Sequence, residues 1–405
     1  PQVTAVLVFV ALLVGAAAAW FLRPASESAD TPDFTLLSSR RGTVTDGRFT
    51  GNEGSAVFSA TWDGEPNRLY SATIGSKTTP PLDMESADLL SESSSGELAV
   101  LLDRRYPVGF EVIGTLAIAQ PGGAAPRRIL EDVMDADYSP DGNRLAVAHE
   151  VGGLVRLEYP IGTVLYESPG WIMHIRVSPD GGRILIVEGP VRGDNTAVMK
   201  VIHVDGTIVE IGPGGAWGAL WDSDGETIWA STGPSLVRIR PGQEREYVMG
   251  FPASLALLDR DARGGLLMAT GTMRRELFGR GPEEADERNL GWLDWSTPSL
   301  LSPDGEMVIF EEGNEVTPDG YAIFMRRLDG SAPLLLGYGS TFALSPDQDR
   351  VALLRRPFDD EQELVLVPIG PGVDRTVPLG ELDILFNYGS WVGDEDGDRP
   401  EALVL

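Results

Sequence analysis

The chain has no cysteine and only three histidines. The first absence removes disulfides and thiolate metal sites. The second leaves His149, His174 and His203 too few and too scattered for a histidine-based metal centre. Positive charge is also short, with 32 Lys and Arg against 61 Asp and Glu and a net charge of −29. A surface of that sign repels phosphate backbones, which argues against nucleic acid as a partner. Beyond residue 23 there is no amphipathic helical stretch of any length. Catalytic signatures are missing too. No G-x-S-x-G elbow occurs, and Gly75-Ser76-Lys77-Thr78 lacks the upstream glycine of a phosphate-binding loop. Gly212-Pro213-Gly214-Gly215 makes no dinucleotide fingerprint. No cofactor is implied.

What the chain does have is a repeated phrase. Ser178-Pro179-Asp180-Gly181 stands between a short strand pattern and the apolar run Ile184-Leu185-Ile186-Val187. Proline presets φ for the second turn position, aspartate bonds backbone just beyond itself, and glycine tolerates a left-handed conformation. The phrase recurs as Ser139-Pro140-Asp141-Gly142, Ser302-Pro303-Asp304-Gly305 and Ser345-Pro346-Asp347-Gln348. Worn copies are Thr50-Gly51-Asn52-Glu53, Ser93-Ser94-Ser95-Gly96, Asp222-Ser223-Asp224-Gly225 and Asp259-Arg260-Asp261-Ala262, with a distorted ninth near Trp391. The fourth turn residues are spaced 43, 46, 39, 44, 37, 43 and 43 apart. A period near forty with several short strands per unit is that of a propeller blade. A blade cannot bury both faces of its own sheet, so each must cover the next. Apolar residues at 42% suffice for such a core, and 48 Gly and 29 Pro suit its many turns.

The expected fold is therefore all-β. It is a single β-propeller of four-stranded blades over residues 34–405, with eight blades and seven or nine as alternatives. One long apolar run precedes it. Residues 3–22 carry no charge and are about long enough to cross the ~30 Å core of a bilayer. Trp20 lies where an interfacial aromatic belongs, and Arg23 follows. We read residues 1–23 as a transmembrane anchor, with a cleaved signal peptide as the alternative, and residues 24–33 as a polar juxtamembrane linker. Either way the propeller is expected outside the cytoplasm. Residues 34–39 form a short strand pattern placed to close the ring against the last blade.

The Ser-Pro-Asp-Gly turn before an apolar strand resembles the repeat of TolB-type, WD-like bacterial propellers. Residues 34–76, beginning FTLLSSRRGTVTDGRF, and residues 89–102, LLSESSSGELAVLL, resemble the extracytoplasmic propeller of bacterial eukaryotic-like serine/threonine kinases. Residues 291–313, GWLDWSTPSLLSPDGEMVIFEEG, are similar to a later part of the same ectodomains. That resemblance implies a cytosolic kinase domain upstream of the anchor and a sensor or interaction role for this chain, which would itself be non-catalytic. The alternatives are a TolB-like envelope scaffold or binding protein without a kinase, and a propeller hydrolase or lyase using scattered acids. The partner is a protein or small-molecule ligand.

Candidate binding residues are few. His174 and Arg176 alternate along one strand pattern and share a face, where they either pair with Asp135 or Asp137 or meet a ligand at the channel mouth. Trp217, near the start of an inner strand, is a candidate ligand platform. Asp394, Asp396 and Asp398 alternate as Ca²⁺ oxygen ligands do, but Leu405 stands where an EF-hand needs glutamate.

Overall fold

A computed structural model describes residues 32–51, 54–120, 125–193, 197–213, 216–271, 274–313, 321–355, 362–380, 384, 390–392 and 402–404. The expected anchor, nearly all of the linker, and Asp394, Asp396 and Asp398 lie outside these. The described residues form strands, turns and loops without an α-helix, and no helix among them is long and apolar enough to cross a membrane. The chain divides into two compact units, Pro1–Thr270 and Gly271–Leu405.

The first unit is a series of antiparallel meanders. Blade 1 is β1 (Gly42–Phe49), β2 (Ser55–Trp62), β3 (Arg68–Thr73) and β4 (Pro81–Glu85). Blade 2 is β5 (Asp88–Glu92), β6 (Leu98–Arg105), β7 (Ile113–Ala119) and the first half of β8 (Arg127–Tyr138). The second half of β8 opens blade 3, which continues through β9 (Leu145–Val151), β10 (Leu154–Glu158) and β11 (Val164–Ser168). The change of role falls at Asp132, whose φ of 56° turns the strand from β7 towards β9; Asp is among the residues that tolerate this region. Blade 4 is β12 (Trp171–Val177), β13 (Arg183–Gly189), β14 (Val198–His203) and β15 (Ile208–Pro213). Blade 5 is β16 (Ala216–Trp221), β17 (Ile228–Thr232), β18 (Ser235–Ile239) and β19 (Glu246–Gly250), and blade 6 has β20 (Ser254–Arg260) and β21 (Leu266–Gly271).

The first strands of consecutive blades touch in sequence, from β1 through β5, β8, β12 and β16 to β20, and β20 touches β1. The ring of this unit thus closes on its sixth member, where a single ring of eight was expected. Blade faces bury one another, as the argument from half-covered sheets requires. One apolar cluster unites Ala148 and Leu157 of blade 3, Ile184 and Ile186 of blade 4, and Ile228 of blade 5. Each fully buried Leu or Ile in it contributes about 1.5–3 kcal/mol. Residues 34–39 are not a strand. Leu37 nonetheless packs with Ala56 of blade 1 and with Leu258 and Leu267 of blade 6.

The second unit has a short pair, β22 (Phe278–Gly279) and β23 (Arg288–Asn289). Two further meanders follow. The first is β24 (Ser296–Leu301), β25 (Met307–Glu312), β26 (Tyr321–Arg327) and the start of β27 (Leu334–Leu344). The second runs from the end of β27 through β28 (Arg350–Arg355) and β29 (Glu363–Pro368) to β30 (Arg375–Val377). A last pair is β31 (Ser390–Val392) and β32 (Ala402–Val404).

The repeated turn is built alike in both units. Ser178 N donates to Arg183 O at 2.8 Å, and Gly181 N closes the turn onto Ser178 O at 2.8 Å with φ 70°. The Ser178 hydroxyl donates to Asp180 Oδ1 at 2.5 Å and accepts from Arg183 N at 2.9 Å. Ser139, Ser302 and Ser345 repeat this pattern with Asp141, Asp304 and Asp347. Gln348 takes the glycine position with φ 60°. The sixth turn lies two residues later than its sequence placement: Gly264 N bonds Asp261 O, with φ 91°. A glycine is therefore present there after all.

Candidate functional site

The first strand of each full blade carries a bulge a few residues before its turn, as between Val44 and Asp46, Leu89 and Ser91, Val133 and Asp135, and Met173 and Arg176. A bulge re-aims the side chains beyond it. Two residues before the turn, blades 1 to 6 carry Arg48, Ser91, Asp137, Arg176, Leu220 and Asp259. Arginine and aspartate each recur three blades on, so the ring has approximate two-fold order in charge.

The two guanidiniums meet across the axis. Arg48 (5% exposed) donates to Gly47 O at 2.7 Å and Leu258 O at 3.3 Å, and also to Leu90 O and Asp46 Oδ1. It therefore links blades 1, 2 and 6. Arg176 (7% exposed) donates to Ile175 O at 2.7 Å and to Leu258 O of blade 6 at 3.0 Å. Its Nη2 stands 3.7 Å from Asp46 Oδ1 of blade 1. Asp46 draws on its own Gly47 N at 2.7 Å as well.

The acids latch seams between blades. Asp135 Oδ2 accepts from Ile175 N at 2.8 Å, and Asp137 Oδ2 from Val177 N at 2.8 Å, both joining blade 3 to blade 4. Asp259 Oδ2 accepts from Phe49 N at 2.7 Å and so fastens blade 6 to blade 1. Between blades 2 and 3, Ser91 Oγ donates to Asp137 Oδ1 at 2.6 Å and accepts from Tyr138 N at 3.1 Å. Glu311 repeats the device in the second unit, accepting from Thr341 N at 2.7 Å. Blade 5 uses other means. Its Trp221 Nε1 donates to Arg176 O at 2.9 Å, and a side chain on Gly218 would meet Leu257 O of blade 6 at 2.0 Å.

Burial sets the protonation of this cluster. It pushes the Asp135 carboxyl up to about 6 against the pull of Arg176, and raises Asp259 against Arg48. Burial, then the like charge of Arg176, pulls the half-buried His174 down to about 4. Burial also works against the Arg48 charge, but Asp46, Asp259 and Asp137 together hold it more firmly protonated than usual.

Of the sequence candidates, the structure places His174 and Arg176 in this cluster, with Asp135 bonded to the peptide N–H between them and Asp137 to the one after Arg176. Trp217 lies on β16, with its side chain outside the description. His149 is buried, 3.0 Å from Glu158 Oε1. Among the described residues no three His, Asp or Glu are grouped to hold a metal ion.

A second arrangement escaped the sequence. The loop from β6 to β7 reaches towards blade 4. Glu111, fully buried, accepts from Arg192 Nε and Gly193 N, each at 2.6 Å, and Arg192 also bonds Glu150 of blade 3 at 3.1 Å. Phe110 meets the Trp171 ring edge-on at 5.4 Å. On this braced loop Tyr106 is 61% exposed, with Arg104 stacked 5.0 Å from its centroid.

Radial antiparallel sheets whose first strands close in a circle make the first unit a β-propeller. No protein-family model matches the sequence, and no curated protein matches it. Among solved structures it is similar to TolB from Acinetobacter baumannii, 14% identical, over 82% of this chain and 80% of that one, with TM-score 0.32. It is also similar to the β-propeller domain of the Trilobed protease from Pyrococcus furiosus, 13% identical over 83% and 97%, TM-score 0.34. A third is oligogalacturonate lyase from Vibrio parahaemolyticus, 12% identical over 84% and 92%, TM-score 0.37.

Proposed function

We propose that this chain is a membrane-anchored, extracytoplasmic β-propeller that recognises a partner through the loops at one end of its ring and does no chemistry itself. The observation that carries this reading is the use of the axial charges. Asp135, Asp137 and Asp259 each accept a backbone N–H of the next blade, and Arg48 and Arg176 donate to carbonyls across the axis. A general acid or base needs a free lone pair or proton facing substrate, and these groups are spent on holding blades together. Recognition then falls to braced loops such as the one carrying Tyr106, whose rigid ring and neighbouring arginine are typical of binding anchors.

The apolar run at residues 3–22 supports the anchor. The likeness of residues 34–76 to receptor-kinase ectodomains supports a sensor half whose kinase lies upstream. A hydrolase or lyase has one observation in its favour, the convergence of Asp46, Asp135, Asp137 and Asp259 on one axis. A TolB-like scaffold shares the fold and lacks the kinase. The test of location uses the absence of native cysteine. Val108→Cys, on an exposed loop, is to be treated in intact spheroplasts with a membrane-impermeant maleimide. Labelling before lysis is the expected result; labelling only after lysis would refute the reading.

A further inference from the structure

At the turn end of the first unit, away from Tyr106, a cleft of about 360 Å³ opens between blades 2 and 3. Ile118, Ile129 and Ile161 supply aliphatic wall, and Arg127, Arg144 and Tyr138 supply polar groups, with Glu97 on the same rim. Its volume is that of small-molecule sites, which combine apolar wall with a few convergent polar groups.

The charges narrow the ligand. Arg127 and Arg144 are exposed and have no ion-pair partner among the described residues; Arg144 lies instead over the Tyr159 ring at 4.8 Å. Two uncompensated guanidiniums in a chain of net charge −29 form a local positive island. Glu97 offsets one of them, so the cleft suits a monoanion better than a phosphate dianion. Burial and the nearby Glu97 push the Tyr138 hydroxyl up to about 12, so it remains a hydrogen-bond donor at neutral pH. Guanidinium forks match planar carboxylates, and the isoleucine wall calls for an aliphatic body beside that carboxylate.

We propose that this cleft binds a small monoanionic carboxylate with a branched aliphatic body, its carboxylate held by Arg127 and Arg144. A free acylated amino acid and the C-terminus of a peptide share that chemistry. The site lies at the opposite end from the loop recognition proposed above and does not depend on it.

The test is calorimetric titration of the full chain in detergent with N-acetyl-L-leucine, its neutral analogue N-acetyl-L-leucinamide, and an acetylated tripeptide ending in leucine with a free carboxylate. The acid is expected to bind at least about tenfold more tightly than the amide, and Arg127→Gln and Arg144→Gln each to lose about tenfold, as removal of a charge-assisted bond implies. Tyr138→Phe is expected to lose a few-fold. A tripeptide tighter than the free acid assigns the site to chain ends; equal binding assigns it to free carboxylates. Both arginines are exposed, so unchanged circular dichroism is expected to show the variants folded. Equal binding of acid and amide, no acid binding up to its solubility limit, or folded arginine variants that bind like the parent would each overturn the proposal.

Discussion

Asp135 and His174 respond to pH in opposite senses. The folded state holds the Asp135 proton to about pH 6, whereas an unfolded aspartate releases it near 3.9. Its stabilising contribution is complete below about pH 4 and is lost as pH rises through about 6. His174 has a folded pKa of about 4 against about 6.5 unfolded, so its contribution is present above about 6.5 and lost as pH falls through 4. Between about pH 4 and 6.5 the two oppose each other. Asp135→Asn is expected to make chemical-denaturation stability fall more steeply on acidification across that window. His174→Asn, which also suits the φ of 54°, is expected to make it rise; slopes equal to the parent's in both variants would refute the assignment. Gln348 offers a simpler check. It holds φ 60° at a position glycine fills in sister turns, so Gln348→Gly is expected to raise stability by about 0.5–1 kcal/mol in urea titration, the left-handed penalty less the entropy of glycine.

At the scale of the element, the turn and the latch separate what the sequence could reveal from what it could not. The turns were legible because their chemistry is local, with Ser178, Pro179, Asp180 and Gly181 all serving one hairpin. The double role of the serine was less plain, since its acceptor function depends on Arg183 N arriving from the following strand. Ser178→Ala is expected to cost about 1–3 kcal/mol, the loss of a buried acceptor for that N–H. Where local chemistry ran weak, in Asp259 to Gly264, the turn was misplaced by two residues, because Asp259 looks like a turn residue and is in fact a latch. Arg48 and Asp46 attracted no notice in sequence. Their partners Leu90 and Leu258 are 42 and 210 residues away, and no spacing rule connects them. Asp259→Ala leaves Phe49 N unpaired and Arg48 short of one counter-charge, and is expected to cost about 3–5 kcal/mol. Asp261→Ala, in the neighbouring turn, is expected to cost less; equal losses would deny the latch its special place.

For the whole molecule, the period fixed the kind of architecture but not the membership of the ring. Repeats of about forty residues fit any circle of blades, and closure depends on which late strand meets β1. In the first unit that strand is β20, drawn to β1 by Asp259, by the Arg48 bond to Leu258 O, and by Leu258 and Leu267 packed closely on Gly47. The most direct test is a distance by pulsed electron paramagnetic resonance between spin labels on paired cysteines, which a cysteine-free chain allows without background. The pair Gly51→Cys and Arg263→Cys reports on the turns of blades 1 and 6. Ser94→Cys with Asn143→Cys, on the adjacent turns of blades 2 and 3, supplies the yardstick for neighbours, and Gly51→Cys with Asn143→Cys that for blades one apart. A six-membered ring predicts that the 51–263 separation matches the 94–143 value; a separation as long as the 51–143 value, or longer, would contradict it.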